Sequence, residues 1–290
     1  MLKLERIRAP VDFSERSAAG VRQGAALADR FHSELIFAHV IPPPPAEYAG
    51  VEGGYWIGSQ PPEEETLGLY RARLEALAQS VAANGRLQKI VTNGDPAREI
   101  VRLAKELRAD LIVMPTHGYG PFRRFVLGSV TAKVLHDIDC PVLTGAHLVE
   151  AAGEQPRPHH RIACAVDLQP HSEKVLRWAA EFAAAYHAGL VLIHAAAPVE
   201  HQMQYLGPEW RRAMIEWAGQ RAEELIQKVG CRAEVRIDAG APTQYIPAAV
   251  TASSADLLVI GRSEPGGLLG RLRTNAYALI RESPCPVVSV

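Results

Sequence analysis

Residues 109–142 read ADLIVMPTHGYGPFRRFVLGSVTAKVLHDIDCPV, and the layout of the whole chain follows from how this stretch folds. The run Leu111–Met114 is apolar, too short for a helix, and bounded by Asp110 and Pro115, which predicts a buried strand of a parallel sheet. Gly118 and Gly120 follow in a loop, then Gly128-Ser129, then a helix-period segment ending near His136 and a second short apolar strand from Pro141. Strand, glycine loop and helix N-terminus together can hold phosphate. The first N–H groups of a helix lack intrahelical partners, and the helix dipole places roughly half a positive charge there. Gly128 lets an anion approach the backbone, and Ser129 can serve as N-cap or as a hydroxyl donor. An ordinary βα turn with a capped helix has the same pattern, and the fragment alone does not separate the two.

Toward the N-terminus the alternation of strand and helix continues. Ile7–Val11 is a short apolar strand ending at Asp12, and Ser14 or Glu15 opens a helix to about His32. Glu34–Val40 is the next strand, and residues 41–60 form a long loop rich in proline and glycine, expected to lie over the mouth of any pocket beside Val40. Pro61 and Pro62, followed by three glutamates, begin a helix to about Ala83; Leu87–Thr92 is a strand, and Gly94-Asp95-Pro96 turns into a helix through Leu107. Such alternation predicts a parallel sheet with helices on both faces.

After a polar, proline-containing linker the pattern begins again. Val11-Asp12-Phe13-Ser14 is answered by Val166-Asp167-Leu168-Gln169, Leu35–Val40 by Leu190–Ala195, and Gly94–Ile100 by Gly240–Ile246. Ala109–Met114 returns as Ala255–Ile260, and Cys140-Pro141-Val142 as Cys285-Pro286-Val287. Landmarks repeated in one order mean a tandem duplication. The domains are 1–148 and 161–290, joined by 149–160.

A net charge of −1 leaves no basic field, which argues against nucleic acid as a partner. The N-terminus carries no apolar signal segment, and no run approaches about 18 apolar residues, so no membrane partner and a cytoplasmic location are expected. Cys140, Cys164, Cys231 and Cys285 form no CxxC pair and read as reduced, buried thiols rather than as disulfides or metal ligands. His39 and His194 occupy matching positions near strand ends and read as satisfied core histidines. The GxxxxGK[ST], HExxH and GxSxG signatures are absent.

These repeated residues resemble the universal stress protein family, over nearly the whole chain and twice. The resemblance implies an α/β fold of two tandem open-sheet domains. Each would be a five-stranded parallel sheet of order 3-2-1-4-5 with helices on both faces, the two joined by a pseudo-twofold. ATP-binding members carry G-x-x-G-x9-G-[S/T] after the fourth strand, and the first half reads Pro115-Thr116-His117-Gly118, nine residues, then Gly128-Ser129. Only the first glycine departs, and Pro115 has no N–H to give. Carried over by position, the resemblance puts Asp12 with Pro10 and Val11 against adenine, Val40 on the base, and Met114 and Pro115 beside the ribose. His117, Gly118, Gly128, Ser129 and Val130 would surround the phosphates. The implied ligand is ATP with or without Mg, bound in the first domain of a stress-response or signalling regulator.

The second half keeps Gly261 but places Glu264 at the position of Gly118. Where Gly128-Ser129 stands it has Arg273-Thr274 or Thr274-Asn275, so its motif reads as degenerate. No general base can be assigned near a γ-phosphate, so hydrolysis is expected to be slow or absent. The alternative from another class is an interaction scaffold of the same fold that binds no nucleotide. An adenylyl-transferring enzyme is disfavoured, because Val11-Asp12-Phe13-Ser14 lacks that chemistry's glycines. The partner that follows is an adenine nucleotide, with an intramolecular pseudo-dimer; a further homodimer is left open.

Overall fold

The computed structural model describes residues 2–43, 64–81, 86–116, 127–145, 157–196, 208–262 and 274–290. The first half runs β1 (Arg6–Pro10), α1 (Glu15–Phe31), β2 (Glu34–Ile41), α2 (Glu64–Gln79), β3 (Leu87–Asn93), α3 (Pro96–Glu106), β4 (Leu111–Val113), α4 (Ser129–Asp137) and β5 (Val142–Thr144). The second half repeats it with β6 (Arg161–Ala165), α5 (Ser172–Tyr186), β7 (Gly189–Ala196), α6 (Pro208–Val229), β8 (Glu234–Ala239), α7 (Pro242–Ala252), β9 (Leu257–Ile260), α8 (Thr274–Glu282) and β10 (Val287–Ser289). Helix α2 ends at Gln79, short of the expected Ala83, because the Ser80 amide turns back onto the carbonyls of Ala76 and Leu77.

The ten strands form one sheet in the order β3-β2-β1-β4-β5-β10-β9-β6-β7-β8. Each half is therefore a parallel 3-2-1-4-5 sheet. The halves join where β5 and β10 pair antiparallel, with Leu143 opposite Val288. An edge strand with unpaired N–H and C=O groups is a liability, and here each fifth strand removes the other's. Helices α1 and α5 approach each other on one face of this seam, through Phe31 and Phe182 at 5.6 Å. On the other face the Tyr277 hydroxyl of α8 reaches the Ala132 carbonyl of α4 at 3.5 Å.

Alternation along the strands divides the core into two layers. Ile7, Ala9, Leu111 and Val113 pack with α1, α2 and α5, whereas Ile112, Met114 and Val142 pack with α3, α4, α7 and α8. The helices follow suit: in α3 the buried residues Ala97, Ile100, Val101 and Ala104 keep the helical spacing of one apolar stripe.

The repeated sequence landmarks acquire physical reasons. Asp110 Oδ2 accepts the amides of Glu5 and Arg6 at 2.8 Å each, and Asp256 Oδ2 accepts those of His160 and Arg161 at 2.7 and 3.1 Å. One carboxylate before the fourth strand of each half thus anchors the start of its first strand. One core position breaks the symmetry. Arg8 is 2% exposed on the opposite face of β1 from Ile7 and Ala9, whereas its counterpart 155 residues on is Ala163. The Arg8 guanidinium nitrogens have no hydrogen-bond partner among the described residues, and burial pushes the group down to about 10.

Candidate functional site

Strand β1 is followed by a crossover to β2 on one side, and β4 lies on its other side. The carboxyl ends of β1 and β4 therefore diverge, and open α/β sheets place their ligands at such a reversal. A cleft of about 460 Å³ opens there, within the rough range of small-molecule sites. Pro10, Val11, Asp12, Val40, Met114, Pro115 and Val130 all line it. Gly128 and Ser129 stand next to this wall at the start of α4. His117 and Gly118 lie outside the described residues, as do residues 44–60 of the expected lid and Glu264.

Gly128, not Ser129, is the N-cap of α4, with extended backbone at φ −62° and ψ 145°, and Ser129 is the first helical residue. The glycine offers no side-chain cap, and no acidic residue stands in the first turn. The Gly128 N–H is taken by the Thr116 carbonyl at 2.8 Å, and Thr131 Oγ1 donates to the Pro115 carbonyl at 3.0 Å. These two bonds tie the segment after β4 to the helix. The N–H groups of Ser129, Val130 and Thr131 have no acceptor among the described residues. Three open amides at the positive end of a nine-residue helix can hold an anion.

Pro115, the one departure from the glycine motif, is matched on α1. A Cβ on Gly20 would lie 3.7 Å from the Pro115 ring, so the helix leaves room for it. The second half makes the opposite exchange, with Val175 at the position of Gly20 and Gly261 at that of Pro115. There a Cβ on Gly261 would come within 3.0 Å of Val175 Cγ2 and 3.2 Å of His171 Cδ2. Bulk has moved from loop to helix, and the proline is a packed residue rather than a defect.

At the other end of the cleft Asp12 Oδ1 accepts from the Ser14 amide at 2.9 Å and the Ser14 hydroxyl at 2.6 Å. This turn holds Phe13 in the left-handed region at φ 63°, as Leu168 is held at 59° in the second half. Phe13, His39 and Tyr70 cluster there, with His39 and Tyr70 ring centres 4.4 Å apart, and the Arg73 guanidinium lies 4.2 Å over Phe13. Sequence reasoning singled out none of these as pocket residues: Phe13 stands in the turn after β1, and Tyr70 and Arg73 lie on α2, whose place against β2 is set by tertiary packing.

His39 and His194 are core histidines with a shared task. His39 Nδ1 donates to the Val11 carbonyl at 2.7 Å and His194 Nδ1 to the Val166 carbonyl at 2.9 Å, where each first strand turns off the sheet. Burial lowers both imidazoles below the ordinary 6.5, with Arg73 acting the same way on His39, while the accepting carbonyls oppose it. The folded chain thus favours the neutral ring more than the unfolded chain does. Below an unfolded value of 6.5 the unfolded state binds more protons, so stability is full above that pH and is lost as pH falls toward the folded values. Urea midpoints are expected to drop between about pH 7.5 and about pH 5.5, and to drop less in His39→Gln. Equal drops in both proteins would contradict this assignment.

In the second half the equivalent cleft is only about 130 Å³, with His171, Val175 and Gly261 in its wall. Helix α8 begins at Thr274, 145 residues after Ser129, which aligns Arg273-Thr274 with Gly128-Ser129.

The model of the universal stress protein family matches residues 3–144 and again 158–290. A universal stress protein of Mycolicibacterium smegmatis is 25% identical over 97% of this chain and 94% of its own length. Universal stress protein MJ0531 of Methanocaldococcus jannaschii is 30% identical over 48% of this chain and 80% of its own. Among solved structures, a universal stress protein from Archaeoglobus fulgidus superposes with a TM-score of 0.70 at 23% identity, covering 99% of this chain and 98% of its own.

Proposed function

The chain belongs to the universal stress protein family, and from that premise we propose that its first domain binds ATP, with or without Mg, and that occupancy is a regulatory state. The observation that supports this best is the roomy cleft at the strand reversal, closed at one end by the open amides of α4. Pro10, Val11, Asp12, Val40, Met114 and Pro115 take the adenosine, and Gly128, Ser129 and Val130, with His117 and Gly118, take the phosphates. In this reading 1–148 is the binding domain, 149–160 a linker, and 161–290 a domain that buttresses the first without a ligand of its own.

Hydrolysis is slow or absent. The bases in the described cleft wall are Asp12 and His39, which lie at the adenosine end and are engaged by Ser14 and by the Val11 carbonyl. No helix among the described residues is long and apolar enough to cross a membrane.

Protein purified from cells without added nucleotide, then denatured, is expected to release ATP or AMP, up to one per chain. An empty supernatant, together with no uptake of added Mg–ATP, would remove the reading.

A further inference from the structure

Gly261 and Arg262 follow β9 at the positions that Pro115 and Thr116 hold in the first half, and the Arg262 side chain faces the other domain. Arg262, 8% exposed, directs its guanidinium at the C-terminal end of α4. Nη1 donates to the carbonyls of Leu135 and Ile138 at 3.3 and 2.8 Å, and Nη2 to those of Asp139 and Cys140 at 3.2 and 2.6 Å. Four acceptors, all backbone, all on the far side of the pseudo-twofold, meet one planar fork. The last carbonyls of a helix lack intrahelical partners and carry the negative end of its dipole, so a buried cation there is well placed.

The contact is one-way. The first-half counterpart of Arg262 is Thr116, too short to make the same reach. Both helices end on the same backbone bond, Ser283 N–H to the Leu279 carbonyl in α8 and Ile138 N–H to that of Val134 in α4, but in the second half the Ser283 hydroxyl also donates to the Cys285 carbonyl at 2.8 Å. At that position α4 is followed by Ile138, which has no side-chain donor. The Cys140 carbonyl, which corresponds to that of Cys285, takes its side-chain donor from Arg262 of the second half instead. The helix so held is the one whose N-terminus faces the proposed phosphates. At nine residues it is about 13 Å long, so both ends move as one body.

We propose that Arg262 is a positioning residue for phosphate binding: the second domain fixes the pose of α4 through its C-terminal end and so presents the open amides of Ser129, Val130 and Thr131. The inference rests on the reading that the first cleft binds ATP. A helix already locked in place loses less freedom when phosphates dock on it. The residue that follows Gly261 in the degenerate motif would then act on the other domain's site instead of on a ligand of its own.

The test is calorimetry of the full chain with Mg–ATP and, separately, with adenosine, in the wild type, Arg262→Met and Arg262→Lys. Because α4 acts on the phosphates, Arg262→Met is expected to weaken ATP about five- to tenfold while adenosine stays within about twofold. Arg262→Lys, which keeps the charge but loses the fork, is expected to fall between. A merely structural role would weaken both ligands alike; that outcome, or an unchanged ratio of ATP to adenosine affinity, overturns the proposal. A wild type that binds neither ligand overturns the ATP reading and this inference with it. Should Arg262→Met fail to fold, hydrogen exchange of the wild type decides. ATP but not adenosine is expected to slow exchange of the amides around Ile138–Cys140, and equal exchange with both ligands overturns the coupling.

Discussion

Gly128→Glu is expected to weaken Mg–ATP binding by more than about a hundredfold while leaving the fold intact. The backbone of Gly128 sits at φ −62°, a conformation open to any residue, so the substitution adds no local strain. It does place a carboxylate at the cap of α4, where the amides of the first turn would otherwise meet phosphate. An uncompensated like charge in a partly dry site costs about 3 kcal/mol or more, which is the stated loss in affinity. Ser129→Ala provides the contrast, losing one hydrogen bond of about 1 kcal/mol. Retained ATP affinity in Gly128→Glu, with an unchanged melting curve, would place the phosphates elsewhere.

Arg8→Met is expected to stabilise the protein. Arg8 lies between Ile36 and Ile112 in register on the central strand, at 2% exposure, with its guanidinium unpartnered among the described residues. Removing a charge from water without returning hydrogen bonds costs several kcal/mol, and an apolar side chain of similar length avoids that cost. Ala163 at the matching position of the second half shows that the fold itself does not require a cation there. The gain should be about 1–3 kcal/mol, read as a rise of several degrees in melting temperature. A loss of stability would contradict the reading of Arg8 as an uncompensated buried charge.

Most of the fold was legible because the strands are short apolar runs punctuated by Asp, Gly and Pro, and because each landmark occurs twice. The repeated Cys-Pro marks β5 and β10 as equivalent strands, and these are the two that pair across the seam. The proposed site residues from Pro10 to Val130 rest on the family's motif, since nothing in their types alone distinguishes a βα turn from a phosphate site. What escaped depends on partners far apart in sequence. The exchange of Gly20 and Pro115 for Val175 and Gly261 is a packing relation across 95 and 86 residues. The Arg262 clamp is hidden further, because its acceptors are backbone carbonyls that carry no residue signature. The cap at Gly128 instead of Ser129 turns on one residue of helix geometry, which periodicity cannot resolve.

The central claim is that one duplicated fold keeps one binding site. The first cleft has about 460 Å³ at the open end of α4, whereas the second has about 130 Å³ beside Val175 and His171. Titration calorimetry of nucleotide-free protein with Mg–ATP measures this directly. A stoichiometry of one nucleotide per chain, abolished by Gly128→Glu, is the predicted result; two sites per chain, or one that survives Gly128→Glu, would contradict it.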